Sequence, residues 1–307
     1  MAKRNTGKKE FDYNPMNMEK EMAKIHRLIN EQNFESRKDF ENYLNSIMGN
    51  KINDFKTKSD PKYVAQDLVY EAYELPENKG KKLIERALKI DPNNADAYVY
   101  LAEIEEDNHK ALELYEKGVK AGEKSLGEEV FKEDAGHFWG IFETRPYMRA
   151  RVGYAECLYL IGRCNEAIDQ YKDMLKLNPN DNQGIRFHLS TWLIDQNREN
   201  DYLKLYHKFN DEISAHWLFN HVLFLFKTIG KVKKTGVEMR KAIDQNPFVI
   251  PYLVGEKDIP ETIPEYMGFG DENEAIYYWI DTAKIWYKDR KAMEWLFEVW
   301  ERHLSMN

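Results

Sequence analysis

The most constraining feature of this sequence is a phrase that recurs at a fixed spacing. Apolar, helix-like segments end in Asp-Pro or Asn-Pro at ALKIDPNN (87–94), MLKLNPND (174–181) and AIDQNPFV (242–249). Pro179 and Pro247 are 68 residues apart, which is two units of a 34-residue period. Such a period is typical of helical hairpins that stack into a solenoid. The sequence therefore predicts an all-α fold of antiparallel helix pairs, a shape used mostly to hold another protein.

Composition agrees with a folded chain and indicates where it resides. Of the 307 residues, 42% are hydrophobic and 32% are charged, a balance typical of globular rather than disordered chains. Cys157 and Cys164 are too few for a disulfide framework, and no apolar run is long enough for a leader or a membrane span. We therefore expect a cytoplasmic protein with reduced thiols and no membrane partner.

The chain is expected to divide into six segments. The ends should be helical caps, because the terminal repeats of a solenoid otherwise expose their apolar faces. One segment should be irregular, because it carries Gly127, Gly136, Gly140 and Pro146. The segments are a disordered basic tail (1–12), an N-terminal helical hairpin (13–50), two repeats (61–124), the irregular insert (125–147), three repeats in 34-residue register (148–249), and a loop with a C-terminal helical cap (250–307).

The third repeat carries the clearest family pattern. YAECLYLIGRCNEAIDQYKDMLKLNPND (154–181) resembles the tetratricopeptide repeat, with matching positions at Ala155, Gly162, Ala167, Tyr171 and Pro179. The resemblance covers 61–124 and 148–249, roughly half of the chain. GHFWGIFETRPYMRA (136–150) is also similar to bacterial repeat proteins grouped with the suppression-of-tumorigenicity-7 family. The broader resemblance implies a right-handed superhelical solenoid whose concave face binds peptides or helices of partner proteins.

In that family the first helix of each repeat lines the binding groove. Four of the implied positions could clasp a carboxylate, since guanidinium and amide donors suit an anionic acceptor: Arg149, Arg186, Asn220 and Lys227. The repeats at 148–249 carry 15 Lys and Arg residues against 12 Asp and Glu residues, which favours an acidic partner, although solvated helix faces carry such charge as well. The implied groove residues are Arg149, Glu156, Tyr159, Gln183, Arg186, Trp217, Asn220 and Lys227.

The insert supports a different hypothesis, a small-ligand sensor or an enzyme. His137, Glu143 and Arg145 lie close together among aromatic residues, so they could form a pocket for a small anion or for acid–base chemistry. Alternatively, Glu143 and Arg145 pair with each other or cap helix ends. No metal-binding, phosphate-binding or nucleophile motif occurs in the sequence. We therefore expect no catalytic residue, metal or cofactor, and the favoured interpretation is not an enzyme.

Two further partner classes were considered. The basic tail could touch nucleic acid, but a pI of about 5.6 and the lack of an RNA-binding motif argue against it. Trp279, Trp286, Trp295 and Trp300 are expected in the core of the C-terminal cap, and any that face outward would form a self-association patch. A monomer and a weak homodimer both remain open.

Overall fold

The structure is a computed structural model that describes residues 15–48, 55 and 58–306. This part of the chain divides into two compact units, the N-terminal unit (15–183) and the C-terminal unit (184–306). The described residues of both units form α-helices joined by turns, loops and short 3-10 turns, and they contain no β-strand. The predicted all-α fold class is confirmed.

The N-terminal unit contains eight α-helices among its described residues. They are α1 (Pro15–Asn30), α2 (Arg37–Met48), α3 (Pro61–Tyr73), α4 (Glu77–Ile90), α5 (Ala95–Glu103), α6 (Asn108–Glu133), α7 (Arg145–Leu160) and α8 (Cys164–Leu177). The pairs α3/α4, α5/α6 and α7/α8 follow one another, and the first helices α3, α5 and α7 contact each other in that order. This is the stacking of helix pairs that the repeated phrase predicts.

Polar side chains set where the first helices begin. Asp60 precedes α3, and its Oδ1 accepts the N–H of Lys62 at 2.8 Å, while Pro61 takes the first helical position. Asn94 precedes α5 in the same way, and its Oδ1 accepts the N–H of Ala97 at 2.9 Å. Such caps satisfy N–H groups that have no partner within the helix. The Asp-Pro and Asx turns of the sequence therefore separate consecutive helices.

The pairs are held closely by small residues in an apolar core. A Cβ atom added at Gly80 of α4 would lie 2.1 Å from the hydroxyl of Tyr100 and 2.8 Å from the carbonyl oxygen of Ala72. Glycine is therefore required for the approach of α4 to α3 and α5. The core of these pairs contains Ala65, Leu68, Val69, Ala72, Ile84, Ala87, Ala97 and Tyr100.

The insert at 125–147 is more regular than the sequence analysis predicts. Helix α6 continues through it to Glu133 with a kink at Gly127, whose φ of 76° lies in the left-handed region. Two 3-10 turns follow at Phe138–Gly140 and Phe142–Thr144, and α7 begins at Arg145. The prediction ended the second repeat at residue 124 and took the glycines that follow as a sign of irregular structure. Glycine adopts positive φ at little cost, so the chain bends at this position and then resumes the helix.

The C-terminal unit contains seven α-helices among its described residues. They are α9 (Ile185–Asp195), α10 (Glu199–Lys208), α11 (Ala215–Ile229), α12 (Lys233–Gln245), α13 (Val249–Leu253), α14 (Glu272–Tyr287) and α15 (Arg290–Met306). Helix α14 follows a loop and contacts both α9 and α11, the first helices of two preceding pairs. Trp286 and Trp295 of the predicted cap are buried, while Trp279 and Trp300 are partly buried.

Candidate functional site

The eight predicted groove residues divide between the two units, and Asn220 of the C-terminal unit is fully buried. Its Nδ2 donates to Ser190 Oγ at 2.8 Å and to Thr191 Oγ1 at 3.0 Å, and its Oδ1 accepts from the hydroxyl of Tyr278 at 3.2 Å. These partners lie on α9 and α14. Asn220 therefore joins three helices of its own unit, and its hydrogen-bonding groups are already used.

The other predicted groove residues of the C-terminal unit also contact their own unit. Trp217 is only 2% exposed. Arg186 donates from Nε and Nη2 to Glu212 Oε2, at 3.1 and 2.5 Å. Lys227 is exposed, but its Nζ donates to the carbonyl oxygen of Ile194 at 3.2 Å. Asn220 and Trp217 are therefore buried within the C-terminal unit, and Arg186 and Lys227 form hydrogen bonds with other residues of the same unit.

The N-terminal unit places Arg149 at the centre of a group of charges. Its Nε and Nη2 donate to the two carboxylate oxygens of Asp96 at 2.8 and 2.6 Å. Its Nη1 and Nη2 donate to the two carboxylate oxygens of Glu19 at 3.0 and 2.9 Å. Arg149 therefore makes a two-point contact with each of two carboxylates, the strongest geometry available to this side chain. One of these carboxylates belongs to helix α1, 130 positions earlier in the sequence.

Two more side chains contact the same glutamate. Arg145 lies four residues before Arg149 on α7, so both arginines share one helix face, and its Nη1 donates to Glu19 Oε2 at 3.1 Å. Tyr70 of α3 donates from its hydroxyl to Glu19 Oε1 at 3.1 Å. We call Glu19, Tyr70, Asp96, Arg145 and Arg149 the Glu19 clamp. The first helices of all three pairs, α3, α5 and α7, therefore contribute to holding one carboxylate of α1.

The Glu19 clamp is supported from α3 and α5. Gln66 Nε2 donates to Asp96 Oδ2 at 2.7 Å. Asn94, the cap of α5, in turn donates from Nδ2 to Gln66 Oε1 at 2.9 Å. These contacts orient the Asp96 carboxylate toward Arg149. A hydrogen-bonded neighbour of this kind fixes the geometry of the residue that makes the contact.

The electrostatics of the Glu19 clamp follow from burial and charge pairing. Glu19 is 8% exposed, Asp96 is fully buried and Arg149 is 18% exposed. Burial alone would raise the pKa of the Glu19 carboxyl, but Arg149 and Arg145 outweigh it and hold this pKa below its usual value. Burial would lower the pKa of Arg149, whereas Asp96 and Glu19 raise it well above the usual value. The glutamate and the arginine are therefore both charged at neutral pH.

The remaining predicted groove residues of this unit lie apart from the charged cluster or have other contacts. Glu156 is partly buried and accepts from the hydroxyl of Tyr171 at 3.1 Å. Tyr159 and Gln183 are partly buried. The Oε1 atom of Gln183 is buried without a hydrogen-bond partner among the residues that the structure describes. Arg149 thus contacts carboxylates as the sequence analysis suggested, although both carboxylates belong to its own unit.

The structure does not bring His137, Glu143 and Arg145 together as a polar triad. His137 is exposed, and Glu143 Oε1 lies 3.9 Å from His26 Nδ1. Arg145 contacts Glu19, and its guanidinium lies over the ring of Phe142, 4.3 Å from the centroid. The predicted triad and the predicted pair of Glu143 with Arg145 therefore require correction, since Arg145 pairs with α1. Closeness in the sequence does not fix which side chains meet. Arg145 pairs instead with Glu19, which lies 126 positions earlier in the sequence.

A cavity of about 370 Å³ lies in the N-terminal unit next to the Glu19 clamp. Its walls come from α1, α3, the turn before α5, the later part of α6 and the segment 142–147. Glu143 is the one residue of the predicted triad that lines it. Its other lining residues include Arg27, Asp60, Lys62, Tyr63, Gln66, Tyr70, Asp91, Leu126, Val130, Phe142, Pro146 and Tyr147.

Sequence reasoning missed Glu19, Tyr70, Gln66 and Asp96. One of them carried a usable signal. The sequence analysis applies the family's groove positions to the three repeats at 148–249 only. When they are also applied to the repeat that starts at Ala95, Asp96 takes the second position, the same position that Arg149 has in the next repeat. Glu19 carried no such signal, because it lies outside the repeats and its partners are distant in sequence.

Within residues 15–48, 55 and 58–306, no helix combines the length and apolar character needed to cross a lipid bilayer. In the same ranges, no three His, Cys, Asp or Glu side chains are grouped so that they could hold a metal ion. Cys157 and Cys164 are both free, with Cys157 buried.

Comparison with known proteins gives few matches. No protein-family model matches this sequence, and no curated protein matches it. Among solved structures, the chain is similar to YrrB, described as a TPR protein with an unusual peptide-binding site. The sequences are 16% identical, the match covers 66% of this chain and 91% of that chain, and the TM-score is 0.43. The structure of the chain itself establishes an all-α fold of consecutive helix pairs.

Proposed function

We propose that this chain is a protein-interaction protein whose N-terminal unit binds a helix of a partner protein, through a glutamate of that helix, across the first helices of its pairs. The observation that carries the proposal is the Glu19 clamp. Three consecutive first helices contribute to a site for a single carboxylate, and the carboxylate that occupies it belongs to a helix outside the pairs. Helix α1 thus acts as an internal example of the ligand.

The charge of the site favours a carboxylate of the partner at the position of Glu19. Glu19 and Asp96 together balance the positive charges of Arg145 and Arg149. When α1 leaves, Asp96 alone faces two arginines, so the position of Glu19 carries one uncompensated positive charge, while Asp67 of α3 loses Arg27. A buried charge without a counter-charge is costly, so a second carboxylate is favoured at the same position. A partner helix with a glutamate in the place of Glu19 meets this requirement.

The attachment of α1 includes a second, partly buried ion pair. Besides Glu19, Arg27 is buried and donates from Nη2 to Asp67 Oδ1 at 3.0 Å. Met18 and Met22 remain nearly half exposed, while Leu28 is buried. Buried ion pairs come close to break-even against the loss of solvation, so a helix held in this way can be exchanged for another. The proposed partner therefore competes with α1.

The proposal can be tested with the full chain and a labelled peptide that has the sequence of residues 15–33. In wild-type protein the tethered α1 competes with the peptide at a high effective concentration, so we expect weak binding. Glu19→Ala removes the tethered carboxylate. We expect this variant to bind the peptide about tenfold more tightly or better, as measured by fluorescence anisotropy.

Three controls identify the site. Glu21→Ala changes an exposed glutamate on the same helix and should leave peptide affinity at the wild-type level. Adding Arg145→Ala to Glu19→Ala should weaken binding, since one of the two arginines of the clamp is then missing. A peptide with glutamine in the place of Glu19 should bind poorly to every variant. Equal binding of both peptides, or none to Glu19→Ala, would refute the proposal.

A second candidate function, binding of a small ligand, is favoured by the cavity of about 370 Å³, a size common for small-molecule sites.

Several expectations remain predictions of the sequence. They are the absence of enzymatic activity, a cytoplasmic location, the similarity to the suppression-of-tumorigenicity-7 group, and a monomer or weak dimer. Of the predicted groove residues, we retain Arg149 in the proposed site. We do not retain Trp217 and Asn220, because both are buried within the C-terminal unit.

A further inference from the structure

The cavity of the N-terminal unit has a charge pattern that the proposed protein interaction does not use. Its wall includes two cationic side chains, and both already have partners. Arg27 donates to Asp67 Oδ1 at 3.0 Å and to the carbonyl oxygen of Ala23 at 3.3 Å. Lys62 donates from Nζ to the carbonyl oxygen of Ser125 at 3.1 Å. Asp67 therefore neutralises the charge of Arg27, whereas Lys62 is hydrogen-bonded but keeps its charge.

Three carboxylates of the same wall lack such neutralisation. In the described part of the chain, Asp60, Asp91 and Glu143 form no ion pair with a lysine or an arginine. Asp60 accepts the N–H of Lys62, and Glu143 lies 3.9 Å from a ring nitrogen of His26. The cavity therefore has more uncompensated negative than positive charge.

Asp91 is the most informative of the three. It is 8% exposed, so more than nine-tenths of it is removed from solvent, and it lines the cavity. Its Oδ1 accepts the N–H of Asn93 at 2.9 Å, and no cationic partner of its side chain occurs among the described residues. A carboxylate at this depth is costly unless a positive charge compensates it. A cation inside the cavity would provide that charge.

The rest of the wall suits the apolar body of an organic cation rather than a bare ion. Phe142 and Tyr147 supply aromatic surface, and Leu126, Val130 and Pro146 supply aliphatic surface. Aromatic rings attract ammonium and guanidinium groups as well as apolar groups. A metal ion is less suitable, because the described residues hold no group of three ligands that could bind one.

The pKa of Tyr63, whose phenol lies at the cavity wall, is affected by two of the same carboxylates. Burial raises the pKa of Tyr63, and the carboxylates of Glu143 and Asp60 raise it further. Arg27 acts in the opposite direction, and its guanidinium lies over the Tyr63 ring, 4.7 Å from the centroid. One aromatic wall of the cavity therefore already accepts a cationic group on its face.

We propose that this cavity binds a small organic cation, a primary amine or guanidine with an apolar body, through Asp91 and Glu143. The proposal goes beyond the protein-interaction function and concerns the protein with α1 in place, because Ala23 and Arg27 of α1 form part of the cavity wall. An anion is disfavoured, because Asp67 already neutralises Arg27 and the three carboxylates outnumber the remaining cation, Lys62. The predicted anion site of the insert is thereby replaced by a site of opposite preference.

The test compares three probes with one body and different charges on the full wild-type chain. They are 3-phenylpropylamine, 3-phenylpropan-1-ol and 3-phenylpropionate, and binding is measured by isothermal titration calorimetry. We expect the amine to bind at least about tenfold more tightly than the alcohol, and no binding of the carboxylate. Equal affinities of amine and alcohol would overturn the proposal, as would binding of the carboxylate or binding of none of the three.

Variants then assign the position. Glu143→Gln preserves the shape of a side chain that is 41% exposed, so folding should tolerate it. We expect it to weaken amine binding at least about fivefold and leave the affinity for the alcohol unchanged. Asp91→Asn should act in the same direction. Glu133→Gln, an exposed glutamate of α6 outside the cavity, is the matched control. If the amine binds equally to wild type and Glu143→Gln, the assigned site is wrong.

Discussion

Replacement of Glu19 by alanine should detach helix α1 from the N-terminal unit. The change removes four hydrogen bonds at once, two from Arg149, one from Arg145 and one from Tyr70, at 2.9–3.1 Å. Hydrogen bonds to charged groups contribute about 1.5–3 kcal/mol each, and removal of one partner of a buried ion pair costs about 3–5 kcal/mol. The side chain is only 8% exposed, so water does not replace the lost contacts in the folded state.

The arginines that remain reduce this cost. Arg149 retains both contacts with Asp96, and Arg145, which is 20% exposed, retains a bond from Nε to the carbonyl oxygen of Trp139 at 2.9 Å. We therefore expect a loss at the lower end of the range, about 3 kcal/mol, which is about a hundredfold in the opening equilibrium of α1. The loss should be local, because Arg149 and Asp96 still join α7 to α5.

Hydrogen exchange of the α1 amides, followed by mass spectrometry, measures this opening. The control is Glu21→Ala, which changes the same residue type on the same helix at an exposed position, so the gain in helix propensity is equal in the two variants. Exchange of α1 should be about a hundredfold faster in Glu19→Ala than in Glu21→Ala, with α3 and α5 unaffected. The reasoning is refuted if the two variants exchange within about threefold of each other, or if the whole unit unfolds.

Acid should produce the same detachment in wild-type protein. The folded-state pKa of Glu19 lies below its ordinary value of 4.5. The contribution of its charge is therefore complete above pH 4.5 and is lost as pH falls through the lower folded-state pKa.

Two further predictions concern stability. Burial lowers the pKa of His221 from 6.5 to about 4, so the unfolded state binds the proton more strongly, and up to about 3 kcal/mol of stability should be lost as pH falls from 6.5 to 4. Chemical denaturation should show this loss in wild type but not in His221→Phe, and parallel pH profiles would contradict it. Gly80→Ala should destabilise by about 1–3 kcal/mol, because its Cβ meets Tyr100 and Ala72. Gly236→Ala should instead stabilise the protein by about 0.5–1 kcal/mol, because a Cβ atom at this position would meet no other part of the protein within 4 Å. Equal effects of the two substitutions would contradict the packing argument.

The local part of the fold was readable from the sequence. Asp60 and Asn94 cap helices at positions where the sequence has an Asp or Asn before a segment with helical apolar periodicity. Gly80 is the small residue at a point where two helices approach closely. The insert was misjudged, because a glycine can bend a helix as well as end it, and Gly127 takes the first course. Arg149 was identified as a residue that clasps a carboxylate, but its partner was expected on another protein.

The sequence by itself determined the helix pairs, their order and much of their spacing, because these depend on caps, periodicity and small residues within a few turns of each other. Only the tertiary structure decided which distant segments pack against the first helices of the pairs. Glu19 meets Arg149 across 130 positions, and α14 meets α9 and α11 after an intervening loop. Such contacts join segments that share no local pattern. Their partners are selected by charge balance and burial in the folded chain, which periodicity does not encode.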